Sequence, residues 1–267
     1  MRPSLAVFVA LALAGWATNA RAALTINVGD SVSVSGTVNN YDAGQVYYNG
    51  TAVAPAGYEV AAGAFVLSVT DNTTGQAGTL STFCTDVTSL WQTPGTFTAM
   101  TFADANTLNN AITRGWTAYG IADAAWLYNT YFVGQTGLTT DQQAGLQLAI
   151  WKVLYDSTST GVNLNGGSAF LIGTLKASGF GGGLTAAQTY LANLDSAISG
   201  NSFVTYGTTW LDPVSPANNQ GLLAPPTPVP EARAILAAVS LLALPLGASM
   251  TRILRKKRQG QASTQHC

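Results

Sequence analysis

Residues 79–86 read TLSTFCTD, and their alternation of apolar with small polar side chains is typical of a β-strand that buries one face. Similar runs recur from Leu24 to about Phe102, separated by glycine, asparagine and proline, which favour turns. They read LTINV (24–28), VSVSGTV (32–38), AFVLSVTD (64–71) and GTFTAMTF (95–102). Several short strands of this kind predict a β-sandwich or barrel.

Beyond Asp104 the periodicity changes to that of helices. We expect helices over 104–114, 121–132 and 186–199, the last with Thr185 as its N-cap. Another helix is predicted to run to Tyr155 from an N-cap at Thr140 or Asp141, with an apolar stripe made by Leu146, Ala149, Ile150, Val153 and Leu154. Residues 202–206 are expected to return to the sheet. The predicted fold class for residues 23–212 is α+β, a β-sandwich or barrel-like domain with an inserted or adjoining helical segment.

The first 22 residues have the pattern of a secretory signal peptide. Arg2 precedes an apolar run, Leu5–Trp16, and Ala20-Arg21-Ala22 provides small residues at the two positions that signal peptidase reads. An N-terminal membrane anchor is the alternative, but the run is shorter than the roughly 20 residues of a spanning helix. We therefore expect signal peptidase to cut after Ala22 and the chain to be exported.

The opposite end has a proline-rich linker and then a short apolar segment. Six of the ten prolines lie in residues 213–231, which predicts an extended and fairly stiff linker. Residues 234–250 are uncharged and mostly apolar, and a basic cluster follows them: Arg252, Arg255, Lys256, Lys257 and Arg258. Such a cluster indicates the cytoplasmic end of a membrane-spanning helix. A buried soluble helix is the alternative, but it leaves the basic cluster without an explanation.

The stretch PTPVPEA (226–232), the apolar segment and RILRKKR (252–258) occur in the order of a bacterial sorting signal. The motif Val229-Pro230-Glu231 with its hydrophobic helix and basic end resembles the PEP-CTERM signal of Gram-negative bacteria that make exopolysaccharide. Here Ala232 stands where that family has a second proline. The resemblance implies transient retention in the inner membrane, cleavage by an exosortase, and delivery to the outer surface or extracellular matrix. The sorting signal would comprise residues 232–267.

The exported part is acidic and contains few charged residues. It has twelve acids against three bases, Arg114, Lys152 and Lys176, for a net charge of −9. Nucleic acid and anionic lipid need clustered lysine or arginine, so the composition argues against both as partners. A surface built largely from hydroxyl and amide side chains suits a protein that faces water, polysaccharide or other cell surfaces.

Cys84 is the only cysteine between the two apolar ends of the chain, and a chain cut near residue 231 would also lack histidine. This inventory excludes an internal disulfide and catalysis by Ser-His-Asp or Cys-His sites, and it offers no second thiol for a metal site. We expect no cofactor and no enzymatic activity. Three roles remain open for Cys84: a buried apolar residue, a disulfide to another chain, or a bond to a glutamine.

FCTD (83–86) and GLQLAIWKVLYD (145–156) together resemble the thioester domains of bacterial surface adhesins. The matching positions are Phe83, Cys84 and Asp86 at one site and Gln147, Ala149, Ile150 and Trp151 at the other. Leu146 departs from the family's motif, which has threonine there. The resemblance implies a thioester between the side chains of Cys84 and Gln147, carried on a strand and a helix respectively.

Two residues are expected to support that site. Gln147 and Trp151 are four apart on the predicted helix, so they share a face and Trp151 is placed to cover the bond. Asp86 lies on the same side of its strand as Cys84, where a carboxylate raises the thiol pKa and an acid is placed to protonate the leaving ammonia.

Two functions remain open. The first is an adhesin-like protein that attaches covalently to amine- or hydroxyl-bearing surfaces. The second is a structural or carbohydrate-associated matrix protein without a thioester, in which Cys84 and Gln147 are merely packed. A polysaccharide hydrolase would need a suitably spaced pair of carboxylates, and no pair stands out in the sequence.

Overall fold

The computed structural model describes residues 24–101, 114–162, 170, 172–204, 207–215 and 219–225. They all belong to one compact unit. The strands among them are β1 (Ser31–Tyr48), β2 (Thr51–Ala52), β3 (Val60–Asp71), β4 (Ala77–Cys84), β5 (Gly95–Thr101), β6 (Leu175–Ser178), β7 (Thr209–Ser215) and β8 (Leu222–Ala224). The helices are α1 (Gly120–Tyr131), α2 (Thr140–Asp156) and α3 (Gly182–Ser199). The fold is α+β, as predicted.

The sheet is antiparallel, and its strands follow the order β2-β1-β3-β4-β8-β7-β5. Strand β5 also pairs with the first part of β1, with Ser31 opposite Thr98 and Val34 opposite Gly95. The last part of β1 pairs with β6 instead. The long strand β1 thus connects most of the sheet to the helical region, because β6 lies between α2 and α3 in the chain.

Helix α2 lies at the centre of the domain and packs against α1, α3, β1 and β3. Every residue from Ala144 to Tyr155 is buried. The predicted apolar stripe is buried, but so are Gln147 and Lys152, which a one-sided amphipathic helix would expose. A helix that is buried all round must satisfy its polar side chains internally. Lys152 does so by donating to a side-chain oxygen of Asp156 and to two backbone carbonyls.

The starts of two helices differ from the prediction. The N-cap of α2 is Thr139, not Thr140 or Asp141, because Gln142 lies three residues on and the two side chains form a reciprocal capping box. Helix α3 begins at Gly182 rather than at residue 186, with Gly181 as its N-cap. The glycines permit a close approach of α3 to α2: a Cβ added at Gly145 of α2 would lie 2.6 Å from the Cβ of Ala186.

Two predicted strands are absent from their expected places. Leu24–Asn27 are not part of a strand, and Asn27 instead donates its backbone N–H to the carboxylate of Asp30 at 2.6 Å. Residues 202–204 also lie outside the sheet. Phe203 packs against Trp126 of α1, with ring centroids 6.3 Å apart and nearly parallel planes. Of the apolar side chains in these two runs, Ile26 is buried, Leu24 and Phe203 are partly buried, and Val28 and Val204 are exposed.

The sheet continues beyond residue 212, where the sequence placed the start of the linker. Strand β7 includes Pro213, which lies opposite Phe97 where the register between β5 and β7 shifts. A proline has no N–H to donate, so a bulge of this kind is where a sheet accepts it. Strand β8 then adds Leu222, Leu223 and Ala224 to the buried core.

Several sequence predictions fall outside the described residues. These are the signal peptide (1–22), the sorting motif Val229-Pro230-Glu231, the apolar segment 234–250, the basic cluster 252–258 and nearly all of the helix predicted over 104–114. In the part of the chain that the structure describes, no helix is long and apolar enough to cross a membrane.

Candidate functional site

The last residue of β4 meets the central helix through a reciprocal pair of hydrogen bonds. The backbone N–H of Cys84 donates to Oε1 of Gln147 at 2.9 Å, and Nε2 of Gln147 donates to the backbone oxygen of Cys84 at 2.7 Å. Both residues are 1% exposed. The structure therefore holds the side-chain amide of Gln147 against Cys84, and almost none of the surface of either residue is exposed to solvent.

The edge of β4 explains why an amide fits there. Backbone groups of successive residues point to opposite sides of a strand, and Thr85 donates its N–H to Gly221 on the β8 side. The N–H and C=O of Cys84 therefore point towards β3, but the pairing of β3 with β4 ends at Thr82. Gln147 takes the place of the missing strand neighbour and satisfies both backbone groups.

The thiol of Cys84 is kept protonated by its surroundings. Burial raises its pKa well above the ordinary value, and the negative charge of Asp86 raises it further. The Sγ–H donates to the backbone oxygen of Asp86 at 3.0 Å. Trp151 and Arg114 act in the opposite direction, since both favour the thiolate form. Any reaction of this thiol must therefore move its proton in the same step.

Trp151 lies one helical turn after Gln147 and is 2% exposed. Its indole Nε1 is buried, and hydrogen bonding by this side chain to Cys84 favours the thiolate form. The same side chain stabilises the thiolate of Cys84 and lines a cavity together with it. Trp151 thus places its N–H donor beside the Cys84 sulfur at the buried end of the site.

Asp86 accepts hydrogen bonds from the turn that follows β4. Oδ1 accepts from the backbone N–H and hydroxyl of Thr88 at 3.0 and 2.9 Å, and Oδ2 accepts from the hydroxyl of Ser89 at 2.8 Å. Oδ2 also pairs with Nη1 of Arg114 at 2.6 Å. Among the described hydrogen bonds, the one between the Cys84 sulfur and Asp86 uses the backbone oxygen of Asp86. The carboxylate of Asp86 bonds the turn instead, so we assign Asp86 the role of fixing that turn.

Arg114 holds this turn against the rest of the sheet. Its Nη2 reaches Oδ1 of Asp212 on β7 at 3.3 Å, and its guanidinium lies 5.3 Å from the ring centroid of Trp210 and 5.9 Å from that of Trp116. Arg114 was not among the predicted site residues. The sequence did hold one indication, because Arg114 is one of only three bases among twelve acids in the exported part, and such a base is expected to form an ion pair.

A cavity of about 370 Å³ leads from the surface to the site. Cys84 and Trp151 line its buried end, and the exposed residues Tyr58, Glu59 and Leu90 line its mouth. The walls between are mostly apolar and are formed by Val38, Val53, Val60, Phe65, Val87 and Trp91, among others. The volume lies in the range of about 300–1,000 Å³ that is common for small-molecule sites.

The described residues contain no cluster of three or more histidine, cysteine, aspartate or glutamate side chains that would hold a metal ion. The four residues predicted for the site in the folded domain, Cys84, Asp86, Gln147 and Trp151, all lie together, and the sorting residues from Val229 to Arg258 lie outside the described part of the chain. Comparison of the chain with protein-family models, curated proteins and solved structures found no match.

Proposed function

We propose that this chain is an exported, adhesin-like surface or matrix protein in which Cys84 and Gln147 form an internal thioester. The thioester would attach the protein covalently to an amine- or hydroxyl-bearing surface. The observation that carries this proposal is the reciprocal hydrogen bonding of the Gln147 amide to Cys84, at the buried end of a cavity that opens to solvent.

The bond forms without any other reagent. Sγ of Cys84 adds to the side-chain carbonyl carbon of Gln147, the C–N bond breaks, and the thiol proton leaves on the departing ammonia. One carbon–sulfur bond replaces one carbon–nitrogen bond, so atoms and charge balance. The backbone N–H of Cys84 already donates to Oε1, the atom on which negative charge develops in the tetrahedral intermediate.

In the capture of a target, nitrogen is the attacking atom and sulfur is the leaving atom. A neutral amine attacks the same carbon, sulfur leaves, and the thiol regains a proton from the attacking nitrogen while an amide forms at residue 147. The indole N–H of Trp151, which favours the thiolate of Cys84, stabilises sulfur as it leaves. The thioester is consumed in this step, so the protein acts once and is not an enzyme.

The fold proposed here is a barrel-like sheet with an inserted helical segment. Support for closure comes from β5, which pairs with β7 on one side and with β1 on the other. The helices and β6 lie between β5 and β7 in the chain, as expected for an insertion. A glutamine on such a segment and a cysteine on a strand are the arrangement implied by the resemblance to adhesin thioester domains.

Export and sorting complete the proposal. Signal peptidase would remove residues 1–22, and an exosortase would cut near Val229-Pro230-Glu231 after transient anchoring in the inner membrane by residues 234–250. The basic cluster would remain with the membrane segment. The domain would then be released to the outer surface or the extracellular matrix, where a surface or polysaccharide is its expected ligand.

A structural or carbohydrate-associated matrix protein without a thioester is the second candidate. The observation that favours it is that Gln147 satisfies both backbone groups of Cys84, which is all that a purely structural link between β4 and α2 requires. The raised pKa of Cys84 also slows attack by sulfur. In this case the protein attaches to its surroundings without a covalent bond.

An intact-mass measurement on the exported protein separates the two candidates. A thioester lowers the mass by one ammonia relative to the processed sequence, and incubation with methylamine restores a titratable thiol while adding the amine to residue 147. Cys84→Ala and Gln147→Ala should both abolish the deficit. Gln143→Ala is the matched control on the same helix, because Gln143 bonds the backbone of Leu138 instead. A wild-type protein with the full mass of its processed sequence and a free thiol would contradict the thioester proposal.

A further inference from the structure

Behind its mouth, the cavity that ends at Cys84 has an apolar wall in which the polar side chains are already engaged. Ser89 donates its hydroxyl to a carboxylate oxygen, and Gln220 and Trp91 donate their side-chain N–H groups to backbone oxygens. At the buried end, the Cys84 sulfur donates to a backbone oxygen, and the Trp151 side chain hydrogen-bonds to Cys84. A ligand inside the cavity therefore meets apolar surface and polar side chains whose donors are in use.

The mouth of the cavity has a different character from its wall. The side chains of Tyr58 and Leu90 are large and lie there 69% and 75% exposed. Glu59 carries the one charge among the described residues that line the cavity, and it is also exposed at the mouth. This carboxylate and the net charge of −9 of the exported part repel a negatively charged group from the mouth, whereas an uncharged or cationic group is accepted.

We propose that this cavity binds the aliphatic chain of a free amphiphile, whose head group stays at the mouth and has no negative charge. At about 30 Å³ for each water-sized group, the volume of about 370 Å³ has room for about a dozen such groups, so a chain of about eight carbons fits. Water finds few partners in a wall whose polar groups are paired, so displacing it with methylene groups is favourable. The binding does not depend on the thioester proposed above.

A sugar ring and a bilayer are the competing occupants. A ring inside the cavity would bury several hydroxyl groups against Val53, Phe65 and Val87, and hydroxyls that lose water without gaining partners oppose binding. A bilayer needs a wider apolar surface than Tyr58 and Leu90 provide beside an acidic residue. A free amphiphile avoids both costs, because its chain is buried while its head group remains in water.

The test measures binding to the full chain carrying Cys84→Ala, which cannot form a thioester, with each probe below the concentration at which it forms micelles. The probes are butyl-, hexyl- and octyltrimethylammonium, whose nitrogen has no lone pair for reaction, together with octyl glucoside and octyl sulfate. Calorimetry should show one site, a negative heat-capacity change and about three- to fourfold tighter binding for each added methylene group. Octyl sulfate should bind more weakly than the other two octyl probes, because its head group is anionic.

Two pairs of variants locate the site. Glu59→Gln should reduce the preference for octyltrimethylammonium over octyl sulfate about two- to fivefold, the range for an exposed ion pair, whereas Asp141→Asn, an exposed acid outside the lining, should leave it unchanged. Ala61→Phe adds a large side chain to the cavity wall and should weaken all octyl probes by about tenfold or more, because it occupies the space of several methylene groups. Ala77→Phe is its control, since Ala77 is exposed on β4 and does not line the cavity.

Affinity that is independent of chain length, or tightest binding of octyl sulfate, would overturn the inference. Equal effects within either pair of variants would overturn it too, as would binding to phosphatidylcholine vesicles without binding of the free probes. If Ala61→Phe does not fold, the chain-length series and Glu59→Gln still decide. The intact mass of the wild-type protein judges the thioester separately: full mass with chain-dependent binding keeps this site and refutes the bond, and an ammonia deficit without binding does the reverse.

Discussion

Replacing Arg114 by methionine should destabilise the domain and disturb the site at Cys84. Arg114 joins the turn after β4 to β7 by pairing with Asp86 and Asp212. Methionine keeps the length and apolar character of the side chain, so packing against Trp116 and Trp210 is largely retained. The variant therefore removes the charge and leaves Asp86 buried without its cation.

The magnitude follows from the burial of the pair. Removing one partner of a fully buried ion pair costs about 3–5 kcal/mol. Here the Arg114 side chain is 16% exposed, and Asp86, at 4%, keeps its hydrogen bonds from Thr88 and Ser89. We therefore expect a loss of about 2–3 kcal/mol in the free energy of unfolding, between the values for a hydrogen bond to a charged group and for a buried pair. Burial already raises the pKa of Asp212, and loss of Arg114 should raise that pKa further.

The assay is urea unfolding at pH 7, followed by tryptophan fluorescence, for the wild type, Arg114→Met, Asp86→Asn and the double variant. A coupling energy of about 1–3 kcal/mol between positions 86 and 114 is expected for groups in direct contact. Lys176→Met is the control, because it removes a base of the same domain that is exposed on β6. If a thioester forms, the fraction of Arg114→Met protein that lacks one ammonia should also fall.

The reasoning is refuted if Arg114→Met and Lys176→Met change the free energy of unfolding equally. Additive effects of the substitutions at positions 86 and 114 would contradict it too, because they would mean that the pair seen at 2.6 Å contributes nothing specific. A variant with normal stability but a reduced ammonia deficit would assign Arg114 to bond formation alone, against the structural role argued here.

Two further predictions concern other parts of the chain. Burial raises the pKa of Asp123 to about 6 from an ordinary 3.8, so the folded protein binds this proton more tightly than the unfolded chain does. The free energy of unfolding should therefore fall by up to about 3 kcal/mol as the pH rises from about 4 to 6. Urea unfolding across this range should show a flatter profile for Asp123→Asn, and an unchanged slope would refute the assignment. Secondly, a peptide map of the extracellular protein should lack RILRKKR (252–258), and recovery of that peptide from released, soluble material would contradict cleavage at the sorting motif.

Local patterns were sufficient to predict most of the regular structure. The alternating runs at 32–38, 64–71 and 95–102 fall within or overlap β1, β3 and β5, and the helix predicted over 121–132 is α1 within one residue at each end. The alternating run at 24–28 predicted a strand wrongly, because Ile26 is buried by packing without strand pairing. The strand expected over 202–206 is also absent at 202–204, where Phe203 is partly buried against the core. Ladder pairing is a long-range property, so a short alternating run does not determine whether it finds a neighbour.

The errors at α3 and β7 have the same origin. GFGGGLT (179–185) has the composition of a break between elements, yet Gly182 and Gly183 begin α3 because only small residues permit its approach to α2. Pro213 suggests a linker, yet it lies in β7 at a register shift. In each case a tertiary contact decides the conformation, and nothing in the neighbouring sequence encodes that contact.

The candidate site was predictable in part because its motifs are local, whereas its supporting residues are not. FCTD and the glutamine of α2 could be paired through a family resemblance, and the structure places Gln147 against Cys84. Arg114 and Glu59 belong to no motif, and they reach the site only through the folding of distant segments onto β4. Charged residues of this kind can be assigned to the site only when the tertiary structure is known.

Leu146 is the point at which this chain departs from the adhesin motif, and its place in the fold limits what the departure changes. The side chain is fully buried in α2, so a threonine there would need a partner for its hydroxyl. The donor that faces Oε1 of Gln147 is the backbone N–H of Cys84, which is present whatever residue occupies position 146. The thiol proton likewise leaves on ammonia and needs no hydroxyl relay. Leucine at this position therefore affects the packing of α2, while the groups that the proposed reaction uses all come from Cys84, Gln147 and Trp151.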